Sequence, residues 1–213
     1  MSTPDDRSIL ELLASLRHVT QKDAAKGQLE TAIWLWFHAE DIGTIYDPTS
    51  VHTLTVAVQG ILTAVARDKG VEPSNVVKIT EKQPEKIRDW IRNPQNFFKH
   101  GKFKRMGRGK IVPHLPDLTE LFLADNIGAF NRVFKLSSPI LDLYLFRYSL
   151  TFPESKVSLK TFEVELIKRG YDLGELARLD RIGFYQTVAP ILIEFWSTAR
   201  KAHLDKPPES EKP

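Results

Sequence analysis

The amino-acid sequence predicts an all-α protein, an irregular bundle of about seven to nine helices. Helix start signals recur along the chain, and apolar residues follow the 3.6-residue period of an amphipathic helix, whereas strand-like alternation is rare. The 213 residues include 42% hydrophobic and 10% aromatic side chains, as in an ordinary globular protein. We expect one helical domain over residues 1–204 and a disordered tail over residues 205–213, which hold three prolines and five charges.

The first three predicted helices begin at local capping signals. Thr3, followed by a proline and two acids, predicts a helix start near the N-terminus. A second helix is predicted from Lys22 to Asp41, with its apolar residues on one face. Asp47 and Pro48 predict the start of a third helix, which Gly70 should end.

The middle of the chain contains a predicted helix, a basic loop and a further helix. A fourth helix is predicted over residues 84–92 and should stop before Pro94, because proline disfavours helical geometry in the preceding residue. Residues 99–110 are rich in glycine and show no periodicity, so they predict a loop. The segment Asp117–Glu120 has the pattern of a capping box and predicts a fifth helix that reaches Phe134.

Four more elements are predicted in the C-terminal third. Ser138 and Pro139 predict a helix that reaches about Ser149. Residues 158–168 predict a helix, although Val157, Leu159 and Thr161 leave a strand open. Residues 172–179 and 181–201 predict the last two helices, and Pro190 should kink the second of them.

The composition excludes several classes of function. The chain has no cysteine, which removes thiol catalysis, iron–sulfur clusters and thiolate zinc sites. Its apolar stretches are far shorter than the ~20 residues of a membrane span, and no signal peptide is visible, so we expect a soluble, cytoplasmic protein. The glycines at 101, 107 and 109 lack the strand and the Gly-Lys-Ser/Thr of a phosphate-binding loop, and we expect no cofactor.

Positive charge is concentrated in one part of the chain. Residues 77–110 contain eleven basic and three acidic side chains, a net charge of +8. The whole chain carries +3, so the remaining residues together carry −5. A patch of this kind attracts anionic partners through its field.

The sharpest candidate site is the segment Arg92–Arg105, which places basic, amide and imidazole groups beside three phenylalanines. Lys and Arg side chains gain affinity for phosphates by releasing counterions, and exposed phenylalanine rings can stack on bases. We therefore expect the partner to be a nucleic acid, with RNA as the first candidate, or another polyanion. Asn96 is a further polar candidate, and the predicted anion-binding residues are Lys99, Lys102, Lys104, Arg105, Arg108 and Lys110.

Arg92, Asn93 and His100 in an all-helical chain resemble the signature of the HEPN superfamily. Its motif is an arginine, four to six residues, and a histidine, and many members are metal-independent ribonucleases or toxin components. The resemblance implies that Arg92 contacts the scissile phosphate and that His100 acts in acid–base proton transfer. This chain departs from the motif because seven residues separate Arg92 from His100, and because Pro94 lies where the family has a continuous helix.

A second resemblance covers residues 24–135. The segments Asp47–Leu54, Asn96–His100 and Leu118–Glu120 are similar to those of a family of bacterial proteins without an assigned function. That family pairs a Ser-Ile-His-Thr-Leu helix start with an Asn-Phe-Phe-Lys-His-Ala segment. This chain has Gly101 in place of the alanine, and a basic loop where an Asp-rich turn is usual. No reaction follows from this resemblance.

Two other classes of function stay open at this point. In a non-enzymatic interaction module, Phe97, Phe98 and His100 would be structural and the basic loop would dock an acidic protein. In a small-ligand or metal-binding bundle, His52 and His100 would act together with the carboxylate of Asp41, Glu120 or Asp125. A histidine hydrogen-bonded in the interior is the commoner situation for each of the two. A homodimer is compatible with each of these classes.

Overall fold

The structure is a computed structural model that describes residues 19–38, 48–72, 82, 116–155 and 159–204. Within these ranges it contains seven α-helices, one short 3₁₀-helix and no strand, which confirms the prediction of an all-α protein. The 3₁₀-helix covers Pro153–Ser155. The α-helices are α1 (Gln21–His38), α2 (Pro48–Asp68), α3 (Pro116–Phe134), α4 (Pro139–Thr151), α5 (Lys160–Lys168), α6 (Leu173–Arg178) and α7 (Arg181–Leu204).

Several helix boundaries follow from the local signals. Helix α2 begins at Pro48 and is followed by Gly70 at φ +63°, a left-handed conformation that glycine adopts without strain. In the same way, Gly170 follows α5 at φ +86°. Helix α6 is capped by Asp172, whose Oδ1 accepts a hydrogen bond of 2.8 Å from the backbone N–H of Glu175.

Two other helix boundaries differ from the prediction, and one open choice between helix and strand is decided. Helix α3 begins at Pro116, so Asp117 lies inside the helix and is not its N-cap. Residues 160–168 form a helix, which decides between the two alternatives for that segment. Helix α7 runs past 201 to Leu204 as one element that includes Pro190. The predicted helices near Thr3 and over residues 84–92, the basic loop and the tail lie outside the described residues.

Helix α1 is the central element, and it packs against α2, α3, α4 and α7. Helices α2 and α3 run parallel to each other. Near their first turns, His52 lies beside Thr119, and near their last turns Lys69 Nζ donates a hydrogen bond of 3.2 Å to the carbonyl oxygen of Val133. Helix α1 is antiparallel to this pair, because Trp36 near its end contacts Glu120 near the start of α3.

The core is built from the apolar faces of all seven helices. Phe37 of α1 stacks on Phe184 of α7, with ring centroids 6.2 Å apart, and Phe146 of α4 meets Phe162 of α5 edge-on at 5.2 Å. These rings are fully buried and belong to one continuous cluster. The burial of apolar surface in this cluster is the main favourable contribution to folding.

Candidate functional site

Most of the predicted site residues lie outside the described residues. They are Arg92, Asn96, Lys99, His100, Lys102, Lys104, Arg105, Arg108 and Lys110. The segment that contains them connects Glu72, which follows α2, to Pro116 at the start of α3. Because α2 and α3 are parallel, these two points lie at opposite ends of the pair. A helix of about 20 residues is ~30 Å long, so this chain joins two widely separated ends of the scaffold.

His52 is the predicted site residue that the structure describes. It lies in the first turns of α2, is fully buried, and has its Nδ1 2.9 Å from Thr119 Oγ1 on α3. Its ring also stacks on Phe122, with centroids 6.1 Å apart. The imidazole therefore faces α3 inside the bundle, in a contact that ties the starts of the two helices together.

A second buried polar contact lies further along the same interface. Asn126 of α3 donates a hydrogen bond of 2.7 Å from its Nδ2 to the carbonyl oxygen of Thr55 on α2, and both residues are fully buried. The hydroxyl of Thr55 donates to the carbonyl oxygen of Val51 at 2.7 Å. Since a buried amide is costly unless it is hydrogen-bonded, this contact helps to fix the register of α2 against α3.

A half-buried ion pair lies at the start of α3. Glu120 Oε1 accepts hydrogen bonds of 2.8 Å from Arg181 Nη2 on α7 and of 3.1 Å from Trp36 Nε1 on α1. The guanidinium of Arg181 lies over the Trp36 ring at 4.2 Å, and the hydroxyl of Tyr144 donates to the backbone oxygen of Glu120 at 3.1 Å. Glu120 thus joins four helices, and its carboxylate is engaged by these donors.

Arg147 extends this polar region toward α6. Its guanidinium donates to the carbonyl oxygens of Leu176, Ala177 and Leu179 at 2.7–3.1 Å, and so satisfies the C-terminal end of α6.

Burial lowers the pKa of Arg147, and the nearby charge of Arg181 lowers it further. Burial also raises the pKa of the Tyr148 hydroxyl, assisted by the negative charge of Glu120. These groups connect helices. The spacing of residues in the sequence did not indicate them, because their partners are tens of residues apart.

A groove of about 580 Å³ lies on another face, between α1, the start of α4 and α7. Its walls are mainly apolar and include Trp34, Leu143, Tyr185 and Ile193. The sequence did not single out this feature, because its walls come from three helices that are distant in the chain.

The described residues contain no group of three or more His, Asp or Glu side chains placed to hold a metal ion. None of the described helices combines the length and the apolar composition that crossing a membrane requires. Comparison of the chain with protein-family models, with curated proteins and with solved structures gives no match. The two resemblances found in the sequence therefore stay predictions.

Proposed function

We propose that this protein binds RNA through its basic segment, defined here as residues 99–110. The observation that supports the proposal is the distribution of charge: residues 77–110 carry +8, whereas the rest of the chain carries −5. Single-stranded RNA offers closely spaced phosphates, whose condensed counterions are released by Lys and Arg side chains. It also offers unstacked bases, which aromatic side chains such as Phe97, Phe98 and Phe103 can contact.

Other basic groups of the bundle are less suited to this role. Arg147 is used by three backbone carbonyls, and Arg181 is paired with Glu120. Arg169 forms hydrogen bonds with Glu165 and Glu194 at 2.8–3.1 Å. Carboxylates therefore compensate the charges of Arg169 and Arg181, and backbone carbonyls occupy the N–H groups of Arg147. The basic segment is the preferred candidate for phosphate contacts.

The test replaces Lys102, Lys104, Arg105 and Arg108 together by alanine. A labelled single-stranded RNA is titrated with wild type and variant at several salt concentrations. Each phosphate contact contributes about −0.7 to the slope of log K against log salt, so losing four contacts should make the slope less negative by up to about 3. The far-UV circular dichroism spectrum and the melting temperature should change little, because surface substitutions seldom change the free energy of unfolding by more than ~0.5 kcal/mol.

A matched control removes the same amount of charge from the described helices. Lys22, Lys160, Lys168 and Arg178 are exposed, and replacing all four by alanine also lowers the net charge by four. This control should bind RNA with nearly the wild-type salt slope. Equal losses in the two quadruple variants would show that net charge alone attracts RNA, and unchanged binding by the first variant would reject the proposal.

The resemblance to the HEPN superfamily adds a catalytic version of this proposal. His100 would take a proton from the attacking 2′-hydroxyl, and Arg92 would stabilise negative charge on the phosphate. Removal of a general acid–base typically slows a reaction by ~10²–10⁴-fold. His100→Ala and Arg92→Ala should then lose RNA cleavage measured with a chelator present, while His100→Ala keeps its RNA affinity and melts within a few degrees of wild type. A wild-type protein that binds RNA without cutting it would leave binding as the function and reject catalysis.

A further inference from the structure

The groove between α1, α4 and α7 has the dimensions of a small-molecule site. Its volume of about 580 Å³ lies within the ~300–1,000 Å³ typical of such sites. One wall is the exposed face of α1, with Gly27 and Trp34 about two turns apart. The opposite walls are Ile140 of α4 and Ile193 of α7. Trp34 is 42% exposed and Ile193 53% exposed, so the groove offers apolar surface to a ligand.

The aromatic wall is held in place before any ligand binds. Trp34 stacks on His38 with centroids 4.5 Å apart and an interplanar angle of 16°. His38 in turn meets Tyr185 edge-on at 4.4 Å, and its Nδ1 lies 2.9 Å from the carbonyl oxygen of Trp34. Because neighbouring groups already fix these rings, little side-chain entropy is lost when a ligand packs against them.

The groove carries a negative charge and no positive one among the residues that line it. Glu30 is the charged member of this lining, and its side chain is 33% exposed. Its partner Lys26 is more exposed, at 45%, and lies 3.7 Å away, a distance typical of a weak surface pair. A ligand cation can therefore replace Lys26 at Glu30, while the Trp34 ring favours a cation near its face.

The lining contains a second polar group, the Ser138 hydroxyl, which, unlike Glu30, lacks a partner in the described part of the chain. Ser138 precedes α4 and is only 6% exposed, and its Oγ is buried without a hydrogen-bond partner in the described part of the chain. A serine at this position usually caps its helix, but here the side chain makes no capping bond. The hydroxyl is thus a buried, unpaired polar group beside the groove.

We infer that this groove binds a small amphipathic cation, a molecule with an apolar body and one ammonium group. The apolar body packs between Trp34, Ile140 and Ile193, and the ammonium group lies at Glu30. The inference is independent of RNA binding, because it uses none of the residues of the basic segment. An anionic amphiphile of the same size would bring its charge against Glu30, which disfavours it.

The experiment compares three probes with the same chain length: octylammonium, 1-octanol and octanoate, titrated calorimetrically into the full-length protein. Octylammonium should bind roughly tenfold more tightly than octanoate, from the combined effect of the ion pair and the cation–π contact. Glu30→Gln should reduce the preference for octylammonium over octanoate to about threefold, which the cation–π contact with Trp34 still supplies, and it should leave octanol binding unchanged, since octanol does not use the carboxylate.

Gly27→Leu is the blocking variant, because a Cβ at Gly27 meets nothing within 4 Å and a leucine there extends into open groove. It should abolish binding of all three probes without lowering the melting temperature, since leucine favours helix more than glycine does. Equal affinity for the three probes, or unchanged binding by Gly27→Leu, would overturn the inference. So would a dimeric wild type that Gly27→Leu converts to a monomer, or probe binding that requires deletion of residues 1–18, because the chain itself would then occupy the groove.

Discussion

Asp142 illustrates how one side chain can couple folding to pH. It lies in the first turn of α4, where its Oδ1 accepts a hydrogen bond of 2.6 Å from Ser137 Oγ and its Oδ2 one of 3.0 Å from Trp196 Nε1. Burial raises the pKa of its carboxyl above the ordinary value of 3.8, and the two hydrogen bonds only partly oppose this effect. The folded protein therefore holds this proton more tightly than the unfolded chain does.

A raised pKa in the folded state means that ionisation of Asp142 reduces stability as pH rises from about 4 through the folded-state pKa. Asp142→Asn cannot ionise, so it should escape this loss. We expect the difference in unfolding free energy, wild type minus Asp142→Asn, to decrease as pH increases from about 4 to 7. Urea denaturation at a series of pH values measures it. A difference that grows with pH would mean that the hydrogen bonds outweigh burial.

At the scale of single elements, Gly27 and Gly170 show that the effect of replacing a glycine depends on its backbone conformation. Gly27 lies in the middle of α1, and a Cβ added there meets nothing within 4 Å. Gly170 follows α5 with φ +86°, a conformation that other L-residues adopt only with strain. Space alone does not distinguish the two positions, because a Cβ at Gly170 also meets nothing within 4 Å.

Alanine at these two positions should therefore change stability in opposite directions. Gly27→Ala should raise the free energy of unfolding by ~0.5–1 kcal/mol, because alanine loses less backbone entropy in a helix. Gly170→Ala should lower it by roughly 1–2 kcal/mol, because of the left-handed backbone. Chemical denaturation of the two variants and of wild type measures the sign of each change in the free energy of unfolding. Stabilisation by Gly170→Ala would contradict the role of Gly170 in ending α5.

At the scale of the whole molecule, the described helices share one main core. Phe37 of α1 is fully buried and contacts both Phe184 and Tyr185 of α7, with centroids 6.2 and 5.4 Å apart. Because α1 touches α2, α3, α4 and α7, loss of packing at this position affects most of the bundle. A shared core of this kind favours one cooperative unfolding transition.

Phe37→Ala should lower the free energy of unfolding by ~3–5 kcal/mol, the usual cost of truncating a buried phenylalanine. Ile167→Ala is the matched control, since Ile167 is an apolar residue of α5 that is 57% exposed, and it should cost less than about 0.5 kcal/mol. Circular dichroism and tryptophan fluorescence should report the same midpoint for each variant. Two separate midpoints would contradict the prediction of a single domain over residues 1–204.

The sequence by itself determined the elements whose signals are local. Pro48 with Gly70, Ser138 with Pro139, and Asp172 mark helix ends within a few residues, because capping and the φ of proline or glycine depend on neighbouring positions. The excess of positive charge in residues 77–110 is likewise a property of the sequence alone. Local signals alone do not choose between helix and strand at residues 160–168, because β-branched residues occur in both.

The tertiary structure alone decided what those helices bring together. His52 contacts Thr119, which is 67 positions away in the sequence, and Glu120 pairs with Arg181, which is 61 positions away. The groove takes its walls from α1, α4 and α7. Such contacts depend on how helices pack, and a local pattern does not specify the partner of an apolar face or of a single charge. Periodicity fixes which face of a helix is buried, whereas packing fixes what that face contacts.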